Sequence, residues 1–283
     1  MTTANGIHPE SDIEPSVLKR CFNNAGRALT ILSRPAKLHP QQPWATSRQL
    51  VIGAAVIVIA VLICMVLIDA PIARAVTRLP RWAIWPFDQI TDFGKSGWFL
   101  WPLGVLFLLL AALPPAATRF SERVLATVMV RVGFLFTAIA VPGLFDTIVK
   151  RMIGRARPLV GGQIDPFLFA PFVWRADYAS LPSGHATTAF SVLAAFGCLW
   201  PRARTALLLY ALLIAASRIV VTAHFASDVI AGAVVGTVGV LLVRHYFALR
   251  RLGFSIAPDG TLHQYSGPSL KRIKAVAREL LAP

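Results

Sequence analysis

The chain of 283 residues contains six apolar blocks, and this pattern constrains its fold more than any other feature. Most blocks are about 20 residues long, the length that crosses the hydrocarbon core of a bilayer. They predict spans over residues 50–69, 98–113, 125–149, 186–200, 205–221 and 225–247. Only 14% of the residues are charged, against about 25% in a soluble domain, which argues against a soluble protein. We therefore expect an all-α polytopic membrane protein with six transmembrane helices, whose last four spans form the core bundle.

The basic residues outside the spans are distributed unevenly between the two sides of the membrane. Six spans place both termini on one side, which carries 17 Lys and Arg residues against nine on the other. Because loops rich in Lys and Arg remain in the cytoplasm, we expect cytoplasmic termini. The expected organisation is a basic, partly disordered segment over 1–49, a membrane domain over 50–247 and a basic tail over 248–283. The net charge of +15 then reflects membrane flanks, and we expect no nucleic-acid partner.

Helical periodicity also predicts an amphipathic helix in each terminal segment. Residues 16–32 have apolar positions at helical spacing, which is typical of a helix on the membrane surface, although a solvated tail fits this segment equally well. A second helix is expected after Ser269, which can cap it. Residues 1–14 are expected to be disordered, and 70–97 to form a loop whose tryptophans anchor at the interface.

The ends of spans three to six carry polar residues that span parity places on one side of the membrane. Ionisable residues at membrane depth are costly and usually functional. In chain order they are Lys150, Arg157-Pro158, Pro182-Ser183-Gly184-His185, Ser217-Arg218, His224 and Asp228.

These residue types suit phosphoryl transfer. A lysine and two arginines can clamp a multiply charged anion, most plausibly phosphate. Ser183 and Gly184 immediately precede a helix start, where free backbone N–H groups favour an anion. His224 and Asp228 are four residues apart and share a helix face, so the carboxylate can hold the imidazole in one tautomer. That imidazole can attack phosphorus while His185 protonates the departing oxygen.

The same segments contain few groups that could hold a metal. Asp228 is their only acid, which is too few for a two-metal phosphatase. Cys21, Cys64 and Cys198 are far apart and show no zinc spacing. We therefore expect chemistry without a metal or other cofactor, in which positioned cations stabilise the charge of the transition state.

Eleven specified positions in these segments resemble the three signature motifs of the type 2 phosphatidic acid phosphatase superfamily. The resemblance implies that His224 is the nucleophile and forms a phosphohistidine, that Asp228 orients it, and that His185 is the acid and then the base. It implies phosphate binding by Lys150, Arg157 and Arg218, with help from Ser183 and Gly184. It also implies a lipid phosphate substrate and a site at the outer leaflet of a bacterial inner membrane.

Charged residues outside the motifs have simpler interpretations. Arg151, Arg155 and Arg175 are expected to be charges that flank the membrane, although they could assist a head group. Asp146 lies one helical turn before Lys150 and is expected to pair with it. Arg131 is expected to extend to the cytoplasmic interface.

Several functions remain open at this point. Candidate substrates are undecaprenyl diphosphate, phosphatidic acid, phosphatidylglycerol phosphate and the phosphates of lipid A. Phosphotransfer to a lipid hydroxyl would use the same motifs. An anion transporter is disfavoured because the helices are apolar beyond the polar cluster. The spans exclude a soluble haloperoxidase-like protein.

Overall fold

The computed structural model describes residues 17–36, 46–113 and 118–281. These residues form ten α-helices and one antiparallel hairpin of two short strands. The helices are α1 Val17–Ser33, α2 Ser47–Leu67, α3 Asp69–Val76, α4 Arg81–Thr91, α5 Gly97–Ala112, α6 Arg119–Ile153, α7 Gly184–Leu199, α8 Arg204–Val220, α9 Ala226–Leu249 and α10 Leu270–Leu281, and the strands are β1 Phe254–Ile256 and β2 Leu262–Gln264.

The predicted all-α membrane fold is confirmed. Within the described residues, five helical stretches are long and apolar enough to cross a membrane: Ser47–Leu67, Arg81–Ala112, Arg119–Ile153, Pro201–Val220 and Ala226–Leu249. The remaining predicted span corresponds to α7, which is apolar but only 16 residues long. This helix packs against α6, α8 and α9, so protein covers most of its surface.

The packing of α7 against α9 depends on two glycines. A Cβ atom at Gly232 would lie 2.5 Å from the Ser183 carbonyl oxygen, and one at Gly236 would lie 2.4 Å from the Thr187 carbonyl oxygen. Only residues without a side chain allow such a close approach of two helix backbones. The approach brings the start of α9 next to the start of α7, where the predicted site lies.

Capping residues define both ends of α6. The Thr118 hydroxyl accepts a hydrogen bond from the Ser121 N–H, which begins the helix. Gly154 ends it in the left-handed conformation, with a φ of 62° that glycine adopts at low cost. The helix therefore carries Lys150 in its last turn and releases the chain into the connector that begins at Arg155.

The segment between the first two spans is helical, so the prediction of a loop over 70–97 was wrong. Helices α3 and α4 pack against α8, and α3 also packs against α9. Trp82 and Trp85 remain exposed on this segment. Its polar side chains reach the ends of the core helices, as described below for Asp69 and Thr91.

The predicted terminal helices are present as α1 and α10, and the Ser269 hydroxyl accepts a hydrogen bond from the Arg272 N–H at 3.4 Å. Residues 1–14, predicted to be disordered, lie outside the described residues. Arg131 was predicted to extend to the cytoplasmic interface, and the structure shows which group it contacts. Its guanidinium is half-buried and donates to the Tyr265 carbonyl at 2.7 Å, which ties the C-terminal tail to α6.

Candidate active site

Backbone hydrogen bonds hold the three motif segments together at one end of the bundle. The Ser183 N–H donates to the Asp228 carbonyl at 2.9 Å, joining the start of α7 to the first turn of α9. The Ser180 N–H donates to the Arg155 carbonyl at 3.1 Å, joining the same segment to the connector after α6. The structure therefore brings together the segments that span parity placed on one side.

The imidazole of His224 is almost completely buried, and three oxygen atoms of Ser180 and Asp228 lie near its Nδ1 atom, among them the Ser180 hydroxyl at 3.4 Å. The Ser180 carbonyl oxygen is 2.9 Å away, whereas the nearest carboxylate oxygen of Asp228 is 3.8 Å away. Nδ1–H therefore donates to a backbone carbonyl, which leaves the lone pair on Nε2. His224 lies two residues before α9 begins at Ala226, so the prediction that it shares a helix face with Asp228 was wrong, and the contact between the two side chains is electrostatic and not a direct hydrogen bond.

Ser180 connects these two residues, and the sequence interpretation did not identify it. Its hydroxyl donates to Asp228 Oδ2 at 2.6 Å, while its carbonyl oxygen contacts the imidazole of His224. Asp228 also accepts the Phe225 N–H at 2.9 Å and so caps the N-terminus of α9. Local helix capping and tertiary contacts thus fix the same carboxylate.

The protonation of His224 follows from its burial. Burial lowers the pKa of His224 to about 4, with Arg218 and Arg157 acting in the same direction and Asp228 opposing them. The imidazole is therefore neutral at pH 7. A neutral imidazole has the free lone pair that a nucleophile requires.

Arg155 is not a flanking surface charge, as the sequence interpretation expected, but is fully buried behind Asp228. Its guanidinium donates to Asp228 Oδ1 at 2.5 Å and to Asp69 Oδ2 at 2.8 Å. A buried charge is stable only when opposite charges or hydrogen-bond partners compensate for its lost hydration. The carboxylates of Asp69 and Asp228 do so for Arg155. The expected flanking position fits Arg175 better, since it is exposed and pairs with Asp177.

Lys150 lies beside the N-terminus of α7. Its ammonium group pairs with Asp146 at 2.5 Å, as predicted from their spacing. A Cβ atom at Gly184 would lie 2.9 Å from Lys150 Nζ, so the absence of a side chain allows the ammonium to approach this helix end. A cation and free helix N–H groups at one place favour an anion.

Three buried polar atoms in the motif segments have no hydrogen-bond partner among the described residues. They are Arg157 Nε, Ser183 Oγ and Arg218 Nε. Arg218 is otherwise held by Thr91 of α4, whose hydroxyl accepts from the guanidinium at 2.5 Å. Buried polar groups normally have partners, and a tetrahedral oxyanion would provide acceptors for these donors.

His185 borders a cavity of about 440 Å³ between the 94–97 segment and α6. A Cβ atom at Gly94 would lie 2.9 Å from the His185 ring, so that glycine allows the ring to pack against the segment. Lys95 and Lys150 also line the cavity. The positive charge of Arg218 and the imidazole of His224 both disfavour the protonated form of His185.

The fold is a bundle of membrane-spanning helices with this polar cluster at one end, and the comparisons with known proteins identify it as that of a membrane phosphatase. Residues 131–252 match the family model of the PAP2 superfamily. The chain is 36% identical over 202 residues to lipid A 1-phosphatases from Rhizobium johnstonii and Rhizobium etli, over 71% of this chain and 82% and 86% of those proteins. The chain therefore belongs to the PAP2 superfamily. The crystal structure of Aquifex aeolicus LpxE is similar with a TM-score of 0.46 and 21% identity, over 63% of this chain and 95% of that chain.

Proposed function

We propose that the protein hydrolyses a phosphate ester of a membrane lipid, and that the 1-phosphate of lipid A is its substrate. The observation that carries the catalytic part of this proposal is the set of unpartnered donors from Arg157, Ser183 and Arg218 in the segments that also hold His224. The names of the two Rhizobium relatives support the choice of substrate.

In the proposed reaction, Nε2 of His224 attacks phosphorus and forms a P–N bond as the P–O bond to the lipid breaks. His185 enters this step as an imidazolium, which the negative charge of the bound phosphate favours, and gives its proton to the departing lipid oxygen. It then takes a proton from water, whose oxygen attacks the phosphohistidine and releases inorganic phosphate. The neutral imidazole of His224 and its fixed tautomer suit the first step.

The cations provide binding and transition-state stabilisation in this proposal. Lys150, Arg157 and Arg218 contact the phosphoryl oxygens, and Ser183 and Gly184 contribute the N-terminus of α7. Positioned cations stabilise the charge that the equatorial oxygens carry in phosphoryl transfer. The reaction needs no metal ion, so the enzyme remains active in EDTA.

The cavity beside His185 accommodates the leaving group. An acid must lie within hydrogen-bond reach of the oxygen that it protonates, which places the lipid head group on the His185 side of the phosphate. Lys95, in the segment that borders this cavity, is then close to the head group. In this proposal the lipid enters the cavity between the 94–97 segment and α6.

The proposed location is a bacterial inner membrane, with both termini in the cytoplasm and the site facing the periplasm. The greater number of Lys and Arg residues on the terminal side supports this orientation. An accessible cysteine introduced at the connector residue Asp165 should react with a thiol reagent that cannot cross the membrane. Protection of that cysteine in intact cells, with labelling after lysis, would contradict the orientation.

Phosphate release by purified protein tests the substrate. The panel contains lipid A, undecaprenyl diphosphate, phosphatidic acid and phosphatidylglycerol phosphate, each with EDTA, and the His224→Ala variant is the control. We expect release from lipid A that the control lacks. Release from another lipid alone would reassign the substrate. With ³²P-labelled lipid A, transfer of the label to a lipid hydroxyl without release of free phosphate would indicate a phosphotransferase.

A further inference from the structure

A buried chain of three charged side chains lies behind the proposed nucleophile. It runs from Asp69, at the junction of α2 and α3, through Arg155 to Asp228. All three side chains are shielded from solvent. Asp69 lies outside the motif segments and outside the part of the chain that matches the family model.

The contacts of Arg155 use both sides of its guanidinium. Besides the two carboxylates, it donates to the Pro166 carbonyl at 2.9 Å and to the Ser227 hydroxyl at 2.7 Å. Its guanidinium carbon lies 4.5 Å from the centre of the Phe225 ring, a cation–π contact. These contacts hold the guanidinium in one orientation.

Asp69, at the other end of this series of three side chains, is held by Ser227. One carboxylate oxygen accepts the Ser227 N–H at 2.9 Å, and the other accepts the Ser227 hydroxyl at 2.5 Å. Asp69 thus binds the residue that directly precedes Asp228, as well as the arginine that holds Asp228. Both connections restrain the first turn of α9.

We propose that Asp69 and Arg155 are positioning residues that fix the orientation and charge of Asp228 and, through it, of His224. This inference rests on the proposed nucleophilic role of His224. Asp69 and Asp228 share the single guanidinium of Arg155. These three side chains therefore carry one negative charge that Arg155 does not neutralise. Imidazole becomes positively charged when it binds phosphorus, and a fixed negative charge nearby stabilises that state.

Stability alone is a weak reason for such an arrangement. Buried ion pairs often contribute little to folding compared with apolar side chains of similar size, because both charges lose their hydration. A fixed charge behind a nucleophile instead favours the transition state without further reorganisation. We therefore infer that the three charged side chains contribute more to the reactivity of His224 than to the free energy of folding.

The test compares Asp69→Asn and Arg155→Lys with Asp165→Asn, which changes an exposed carboxylate in the connector. We expect kcat to fall at least about tenfold in the first two variants, because small displacements of reacting groups can cost up to 10²-fold. The KM for the lipid should change less than about twofold, because neither side chain contacts the substrate. Phosphoenzyme formation, followed by rapid quench with ³²P-labelled lipid, should slow by the same factor as kcat.

The double variant Asp69→Asn/Arg155→Lys should lose no more kcat than the more impaired single variant, since both residues act through Asp228. Normal kcat in Asp69→Asn, or a loss that appears only in KM, would overturn the proposal. If Asp69→Asn fails to fold, Ser227→Ala is measured instead, and unchanged kcat in that variant would overturn it. An inactive wild-type enzyme, or an active His224→Ala variant, would contradict the proposed function itself and is recognised before these comparisons.

Discussion

Nδ1 of His224 lies 2.9 Å from the carbonyl oxygen of Ser180, closer than it lies to any oxygen of Asp228. The backbone carbonyl therefore fixes the tautomer of the imidazole. The carboxylate adds negative charge and is held by the hydroxyl of the same serine. Tautomer and charge thus come from different groups, and substitution can test them separately.

Ser180→Ala removes the hydroxyl and retains the carbonyl. Asp228 loses one donor but keeps those from Arg155 and Phe225. A hydrogen bond to a charged group contributes about 1.5–3 kcal/mol, so we expect kcat to fall roughly 10- to 100-fold. Ser191→Ala, at a buried serine within α7, is the matched control. Equal activity of the two variants would show that the Ser180 hydroxyl has no role in the reaction.

The pH dependence of kcat/KM reports the protonation of the nucleophile. Because the pKa of His224 is lowered to about 4, the unprotonated imidazole persists well below pH 6.5. We expect the acidic limb of kcat/KM to fall near pH 4. A limb near pH 6.5 that belongs to His224 would contradict the burial of its imidazole.

Gly184→Ala places a methyl group against the proposed phosphate site. Its Cβ would lie 2.9 Å from Lys150 Nζ and 3.1 Å from an oxygen of Asp146, so the lysine must move. We expect kcat/KM to fall at least about tenfold, because the lysine no longer lies at the N-terminus of α7. Gly53→Ala, where no atom lies within 4 Å of the added Cβ, should behave as wild type. Full activity of Gly184→Ala would exclude the close approach of Lys150 as a requirement.

Lys95→Ala tests the cavity beside His185 as the head-group site. The lysine pairs with Asp92, but both side chains are more than half exposed, so the pair adds little stability. We expect KM for the lipid to rise about threefold to tenfold while kcat changes less than about twofold, the pattern of lost ground-state binding. An unchanged KM would remove Lys95 from the head-group site.

The sequence was sufficient to predict the membrane fold, the six helices that correspond to the apolar blocks and the pairing of Asp146 with Lys150. Apolar length and helical spacing are local properties, and the structure follows them. The sequence also placed the motif segments together, because span parity determines which helix ends share a side.

The buried partners could not be predicted in the same way. Arg155 has no motif position, and its partner Asp69 lies 86 residues earlier, at the edge of an apolar block. Ser180 contacts His224 through a backbone carbonyl, which no side-chain pattern reveals. Helices α3 and α4 bring Asp69 and Thr91 to the core, so these contacts depend on tertiary packing that composition does not specify.

Trapping the phosphoenzyme tests the central claim most directly. Purified protein is quenched in alkali after reaction with ³²P-labelled lipid A in EDTA, and the labelled residue is identified by peptide mapping. We predict an acid-labile, alkali-stable label on His224 that is absent from His224→Ala, since a phosphoryl group bound to nitrogen has that stability. Label on another residue, or near-normal turnover by His224→Ala, would contradict the account.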